Sequence, residues 1–152
     1  MATINDEVVS TLNELIEACR DGEEGFRTAA QAVDDDHLRT LFNNYCQQRA
    51  QLAAELQREV LRLGSQPQSS GSTAGALHRG WVNLKSAIAG HDDGAVLSEC
   101  ERGEDVAIEQ YQHALNANLP SNIKQVVSRQ YAAINAAHDR IRELEKAHEK
   151  AS

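Results

Sequence analysis

The chain has 152 residues, the size of one typical domain, so we expect a single domain over residues 1–152. Its 9 glycines and 2 prolines are few, and aromatic residues make up only 4% of the chain, so helices are favoured over a β-sandwich or barrel. The formal net charge is −8, from 15 Lys and Arg against 23 Asp and Glu, which argues against nucleic acid as a partner.

The sequence also lacks the usual signs of export or membrane insertion. Residues 1–6 contain no basic segment followed by an apolar one, and no stretch approaches the roughly 18 apolar residues that a membrane span needs. Cys19, Cys46 and Cys100 are odd in number and widely spaced, unlike a disulfide framework or a zinc site. We therefore expect a soluble cytoplasmic protein with reduced thiols and no membrane partner.

Apolar and small residues in the first half recur at alternating spacings of four and three, the pattern of a helix that packs in a bundle. The first run predicts a helix over residues 5–33, and the aspartates at 34–36 interrupt it and supply a cap for the next helix. The second run predicts a helix over 36–63, with Gly64 as its C-terminal stop. Residues 65–73 read SQPQSSGST and predict a flexible polar loop.

The second half predicts a short helix over 74–89 and long helices over 94–118 and 121–148, with Pro120 between the long ones. Four long helices, a tight turn within each pair and a long middle connection are typical of a ferritin-like bundle. We therefore predict an all-α fold, a ferritin-like up-down four-helix bundle with a short extra helix in the long crossover between bundle helices two and three.

Charged residues stand in the apolar stripes of three helices. Glu101 and Glu104 occupy stripe positions, and a buried ionised carboxylate without a partner costs several kcal/mol. Arg49 on the second helix and His138 on the last are the candidate partners. Counting back from the turn at Pro120 places Glu101 level with His138, and counting from the aspartate turn places Arg49 near the middle of the first helix. We predict one structural polar layer of Arg49, Glu101, Glu104 and His138 that fixes the register of the bundle.

A carboxylate-bridged di-metal site is the alternative interpretation of the same residues. Ferritin-like bundles hold two ions with a Glu from each of two helices and a Glu-x-x-His from each of the others. The candidate ligands for iron or manganese are Glu101, Glu104, His138, Glu23 and Glu24. The only Glu-x-x-His here is Glu145 to His148, and Arg49 would compete with a metal, so the leading prediction is a non-enzymatic structural or interaction protein without a cofactor.

Glycines and a tryptophan mark further contacts. Gly22 and Gly25 each cost about 1 kcal/mol relative to Ala inside a helix, so they indicate either a close contact, for which Trp81 is a candidate, or a local kink. Gly103, between the two acids, poses the same alternatives. His78 and Arg79 either pack the crossover onto the bundle or, if exposed, offer a site for an anionic or aromatic ligand.

Four short strings together resemble a family of uncharacterised bacterial proteins, a domain-of-unknown-function family with a ferritin-like four-helix bundle. The strings are CRDGEEGF at 19–26, LHRGW at 77–81, ECERGED at 99–105 and HDRIR at 138–142. The resemblance spans nearly the whole chain. It implies the fold and a small homo-oligomer, with a dimer favoured, but no established reaction.

Overall fold

In the computed structural model, residues 3–66, 81, 84–90 and 92–151 are described, and the regular structure among them is entirely helical. The predicted all-α class is therefore confirmed. The described residues form five helices: α1 (Ile4–Ala32), α2 (Asp36–Arg62), α3 (Leu84–Ala89), α4 (Asp93–Asn116) and α5 (Ser121–Ala151).

Short polar side chains set the helix ends. Thr3 caps α1 in a reciprocal capping box with Asp6, which satisfies two backbone groups at the start of the helix. Asp35 caps α2 by accepting a hydrogen bond from the backbone N–H of Leu38 at 3.0 Å, so the aspartate run supplies the cap that its position predicts. After α2, Gly64 adopts φ +82°, a conformation that favours glycine and turns the chain away from the helix.

Hydrogen bonds between helix ends show the direction of each helix. The Asn5 side chain donates to the Leu63 carbonyl at 3.2 Å, so α2 ends where α1 begins. At the opposite end, the backbone N–H of Asp34 donates to the carboxylate of Asp93 at 3.2 Å, so α4 begins where α1 ends. The side chains of Gln112 and Tyr131 meet at 3.0 Å, as expected if α5 runs back along α4. Thus α1 and α5 run one way, and α2 and α4 run the other.

The helices enclose two separate apolar clusters. α1 packs along α2 and α4, α5 packs along α4, and α2 touches α5 more sparsely. The lower cluster, at the end where α1 begins, includes Leu12, Leu56 and Val127, while the upper cluster includes Phe26 and Phe42. Each of the four long helices contributes to both clusters, so the core is interrupted midway along the bundle.

The segment before α4 differs from its prediction. A helix is expected over 74–89, but the described helix covers only Leu84–Ala89, and Trp81 precedes it in non-helical backbone. Residues 67–80 and 82–83 lie outside the described part, and with them His78, Arg79 and most of the predicted loop over 65–73. α3 packs on α1 and α4 and buries Leu84.

Trp81 fills a slot that two glycines leave open. A Cβ added at Gly25 would lie 2.5 Å from the indole ring, and one added at Gly103 would lie closer still. The ring of Phe26 meets the indole edge-on with centroids 5.2 Å apart, and Trp81 is 6% exposed. The close contact expected near Gly25 is therefore with Trp81, whereas Gly22 faces Arg49 instead.

None of the described helices combines the length and the apolar character that crossing a membrane requires.

We predict that Gly103→Ala lowers the free energy of unfolding by about 1 to 3 kcal/mol, because the new methyl group would overlap the indole ring of Trp81. Urea denaturation measures the loss. The chain has a single tryptophan, so a red shift of its fluorescence would report the displaced ring directly. Gly90→Ala is the matched control, since its Cβ would meet nothing nearer than 3.7 Å. Equal stability of both variants would mean that the indole does not occupy the slot.

Candidate functional site

An ion pair between Arg49 and Glu104 lies buried between the two apolar clusters. The Arg49 guanidinium donates two parallel hydrogen bonds to the Glu104 carboxylate, one from Nη1 to Oε1 and one from Nη2 to Oε2 at 2.5 Å. Both side chains are 1% exposed. Two parallel N–H···O bonds between a guanidinium and a carboxylate form the strongest geometry available to such a pair. Each oxygen of the Glu104 carboxylate thus accepts a hydrogen bond from Arg49.

The residues around Arg49 accommodate and stabilise its guanidinium group. Gly22 on α1 leaves room for it, since a Cβ there would lie 3.3 Å from Arg49 Nη1. The guanidinium carbon stands 5.3 Å from the centroid of the Phe26 ring, within the range of a cation–π contact. Arg49 Nε donates to Gln48 Oε1 at 3.3 Å. Burial would lower the pKa of Arg49, but the Glu104 carboxylate outweighs it and raises that pKa, so the guanidinium stays charged.

The pair also joins two helices whose backbones lie apart. α2 and α4 lie diagonally across the bundle, and in the described part of the chain none of their Cα atoms approach within 8 Å. The long side chain of Arg49 spans that gap through the bundle interior. Asp21 on α1, at the axial level predicted for Arg49, is also buried at 2% exposure. The midpoint of the bundle is therefore a charged layer.

A second group of polar side chains lies at the edge between α4 and α5. One ligand atom each from Glu101, Asp105 and His138 lies within 4.8 Å of the others. His138 Nε2 is 2.8 Å from Asp105 Oδ1, and its Nδ1 is 3.2 Å from Asp139 Oδ1. Burial would lower the pKa of His138, but Asp139, Asp105 and Glu101 together raise it. We call Glu101, Asp105 and His138 the edge cluster.

Glu145 extends the edge cluster along α5. Its Oε2 accepts a hydrogen bond from the Ser98 hydroxyl. The pKa of Glu101 is raised to about 7, chiefly by the hydrogen bond with Glu145, then by burial and by the charges of Glu145 and Asp105, against a smaller lowering by His138. The neighbouring acidic groups therefore favour the protonated form of Glu101.

The predicted single layer is divided by the structure into these two groups. Arg49 and Glu104 meet in the interior, while Glu101 and His138 meet at the partly exposed edge. The described hydrogen bonds of Arg49 go to Glu104 and Gln48 and none reaches Glu101, because Glu101 points around α4 toward α5.

The five metal candidates are separated in the same way. Glu23 pairs with Arg20 at 2.7 Å, and Glu24 pairs with Arg27 at 2.6 Å on the outer face of α1. Glu104 is held by Arg49. Glu101 and His138 alone come together, and the structure adds Asp105, which the sequence argument overlooked. Its only signal was the spacing of four residues from Glu101, which places both on one face of α4.

The three cysteines are free thiols, and burial raises the pKa of each. Cys19 shows the effect clearly, with a pKa of about 11 that burial raises and a hydrogen bond with Tyr111 partly lowers. Its Sγ lies 3.1 Å from the Tyr111 hydroxyl, which donates to Gln130 at 2.7 Å. A reactive thiol needs a lowered pKa, so these cysteines have the properties of core residues.

The sequence matches the family described as "Domain of unknown function (DUF2383)" over residues 7–117. This confirms the expected resemblance to a family without an assigned function. The match includes Arg49, Glu101 and Glu104 but ends before α5, which carries His138. No curated protein matches the chain.

Stability should fall as the pH rises through neutrality, and Glu101 should account for part of the fall. Between its ordinary pKa of 4.5 and the folded value of about 7, the folded chain keeps a proton that the unfolded chain has released, so rising pH favours unfolding. Glu101→Gln removes this effect. From pH 5 to pH 8, the variant should therefore gain up to about 1 kcal/mol relative to the parent, a figure limited by solvent screening.

Urea denaturation of parent and variant at the two pH values measures this difference. Glu143→Gln, a substitution at an exposed position on another face of α5, is the control and should shift stability equally at both values. A difference between parent and Glu101→Gln that does not change with pH would show that Glu101 titrates as an ordinary surface carboxyl.

Proposed function

The chain belongs to the DUF2383 family, and we propose that it is a non-enzymatic helical-bundle protein with a structural or interaction role. In this proposal the Arg49–Glu104 pair fixes the register of the bundle, and the chain self-associates through its helix faces. A single domain, a homo-oligomer with a dimer favoured, and a cytoplasmic location belong to the same proposal. The free thiols support the last of these.

The main support for the proposal is that Arg49 donates hydrogen bonds to both carboxylate oxygens of Glu104. Bundle proteins that hold two metal ions at their centre bind them through carboxylates that point inward. Glu104 does point inward, but both of its oxygens already accept hydrogen bonds from Arg49. An ion that took Glu104 would leave a guanidinium buried without its partner, at a cost of several kcal/mol. The interior pair is therefore best explained by a role in the fold.

The order of the helix ends supports the ferritin-like arrangement that we also propose. Neighbouring long helices run antiparallel, and the one long connection joins α2 to α4, which point in the same direction. Ferritin-like folds have a single long crossover of this kind.

The edge cluster favours a second function, the binding of one divalent cation. Two ligand atoms on one ion are separated by at most about 4.4 Å, so the 4.8 Å span of Glu101, Asp105 and His138 needs only a small closure. His138 would ligate through Nε2 while its Nδ1 faces the Asp139 carboxylate, an arrangement that orients metal-bound histidines. Two carboxylates with one imidazole suit manganese or iron(II).

We predict that Arg49→Met lowers the free energy of unfolding by about 3 to 5 kcal/mol, because Glu104 is left charged and unpaired in the interior. The double variant Arg49→Met/Glu104→Met removes both charges and should recover most of that loss. Urea denaturation followed by circular dichroism measures both. Arg140→Met is the control and should cost less than about 1 kcal/mol. Arg140 is exposed, and its ion pair with Glu143 is long, at 3.7 Å.

Metal content separates the structural role of the pair from a di-metal role. Parent and double variant, both purified without chelator, should contain the same amount of iron and manganese. A double variant that stays folded but loses metal held by the parent would overturn the structural proposal.

For the second function, we predict that Mn²⁺ binds at about one equivalent per chain. Glu101→Gln/Asp105→Asn should weaken binding by at least about 10- to 100-fold, since two of three ligands lose their charge. Loss of the free-ion electron paramagnetic resonance signal measures the affinity. Glu23→Gln/Glu24→Gln, which removes the same charge from α1, should bind as the parent does. Equal weakening in both double variants would show that the ion responds to net charge and has no site at the edge.

A further inference from the structure

Charged residues are distributed unevenly over the four long helices. α1 and α4 together carry thirteen acidic and three basic residues, whereas α2 and α5 carry seven acidic and ten basic ones. Because α1 packs along α4, their acidic residues share one side of the bundle, and α2 and α5 form the other. Two copies of a chain with a net charge of −8 repel each other most strongly where acidic sides meet. Of these two sides, that of α2 and α5 therefore opposes association less.

The centre of the α2–α5 side is uncharged. Residues 40–54 of α2 include one charged residue, Arg49, and its side chain is buried. Residues 130–137 of α5 include none. At a rise of 1.5 Å per residue, the two stretches are about 22 Å and about 12 Å long. We call the exposed side chains of these two stretches the neutral face.

Two contacts between α2 and α5 align the uncharged stretches. The Gln130 side chain donates a hydrogen bond to the Leu52 carbonyl at 3.2 Å. Next to it, the Arg129 guanidinium forms an ion pair with Glu55. Since α2 and α5 run in opposite directions, the residues that follow Gln130 lie level with those that precede Leu52. The two stretches therefore lie side by side midway along the bundle.

The exposed part of the neutral face consists of amide and small side chains. Asn44, Gln47 and Gln51 are exposed on α2, and Ala132 and Ala136 are exposed on α5. We propose that the neutral face is the interface through which two copies of the chain form a closed dimer. The inference rests on self-association, which is part of the first proposed function.

A second copy is the partner that this chemistry fits, because the face is complementary to itself. Each side-chain amide offers both donors and an acceptor, so the amides of a second neutral face can satisfy it. A face of carboxylates, in contrast, repels its own copy because every group carries the same sign. The centres of protein interfaces are also depleted of charged residues. A two-fold dimer brings identical faces together, which requires this self-complementarity.

An aromatic and two basic side chains flank the neutral face. Tyr45 is half-buried on α2, with its ring centroid 5.3 Å from that of Phe26. Arg129 and Arg140 are exposed on α5, on either side of the uncharged stretch. Tyrosine and arginine are enriched among the residues that contribute most to interface energetics. A standard interface buries about 800 Å² on each partner, so these residues would extend the contact around a neutral centre.

Substitution by arginine within the neutral face tests the proposal. Gln51→Arg and Ala136→Arg each place a charge at an exposed position, one on α2 and one on α5. Each should raise the dimer dissociation constant by about tenfold or more, because the new charge would be buried without a partner. The added positive charge also lowers the net negative charge of the chain, so long-range electrostatics alone would strengthen association. Weaker association would therefore report burial of the substituted position.

Ser10→Arg is the matched control, since it adds the same charge at an exposed position on α1. It should leave the dissociation constant within about threefold of the parent value. Sedimentation equilibrium over a concentration series measures the constant, and the mass of the parent should level off at two chains. Circular dichroism checks that every variant folds.

The dependence on salt gives a second measurement on the unaltered chain. Raising the ionic strength from about 0.1 M to about 1 M shortens the screening length from about 10 Å to about 3 Å. Screening reduces the repulsion between two acidic chains and leaves contacts between amides in place. Association of the parent through the neutral face should therefore not weaken as salt rises.

The outcomes separate the position of the interface from self-association itself. If the parent dimerises and neither neutral-face variant weakens the dimer, or Ser10→Arg weakens it equally, the interface lies elsewhere although self-association stands. If association weakens with salt and continues beyond two chains, unlike charged faces hold the chains together, and the neutral-face dimer is wrong. If the parent stays a monomer throughout the series, self-association is wrong and the inference falls with it, whereas the structural role of the Arg49–Glu104 pair stands.

Discussion

The Arg49 guanidinium donates two hydrogen bonds to the Glu104 carboxylate in the middle of the bundle, where both side chains are buried. Removing both charges from water costs several kcal/mol each, and only close bidentate pairing offsets that cost. The two residues stand on diagonally opposite helices. Forming the pair therefore constrains both the axial offset between α2 and α4 and the distance between them. Gly22 on α1 is small because the guanidinium passes beside it. The pair thus constrains three helices, and the two apolar clusters lie on either side of it.

The buried pair also distinguishes the polar residues of the interior from those at the surface. Both oxygens of Glu104 accept hydrogen bonds from Arg49 in the interior, whereas Glu101, Asp105 and His138 at the α4–α5 edge remain partly open to solvent. Glu101 and Glu104 are three residues apart, which on a helix is a rotation of about 60°. That rotation is enough to place one carboxylate in the interior and the other at the boundary. Neighbouring acids on one helix therefore have different roles.

The sequence predicted the positions of residues along the helix axes well. It predicted poorly in which direction each side chain points around its helix. The four-three spacing predicts α1 over 5–33 and α2 over 36–63, against Ile4–Ala32 and Asp36–Arg62 in the structure, because apolar periodicity and caps are local signals. Counting from the turn at Pro120 likewise brought Glu101 level with His138. The stripe could not tell which carboxylate faces inward, since that depends on the side chain across the bundle. The slot for Trp81 was indicated only by glycines, because the contact joins residues far apart in sequence.

Nuclear magnetic resonance of the Arg49 guanidinium tests the buried pair most directly. If both Nη groups are held by Glu104, rotation about their C–N bonds and exchange with water are slow. The account therefore predicts separate, slowly exchanging Nη–H resonances for Arg49 at room temperature, which disappear in Glu104→Gln. A single averaged Nη signal that exchanges rapidly with water, like that of the exposed arginines, would contradict it.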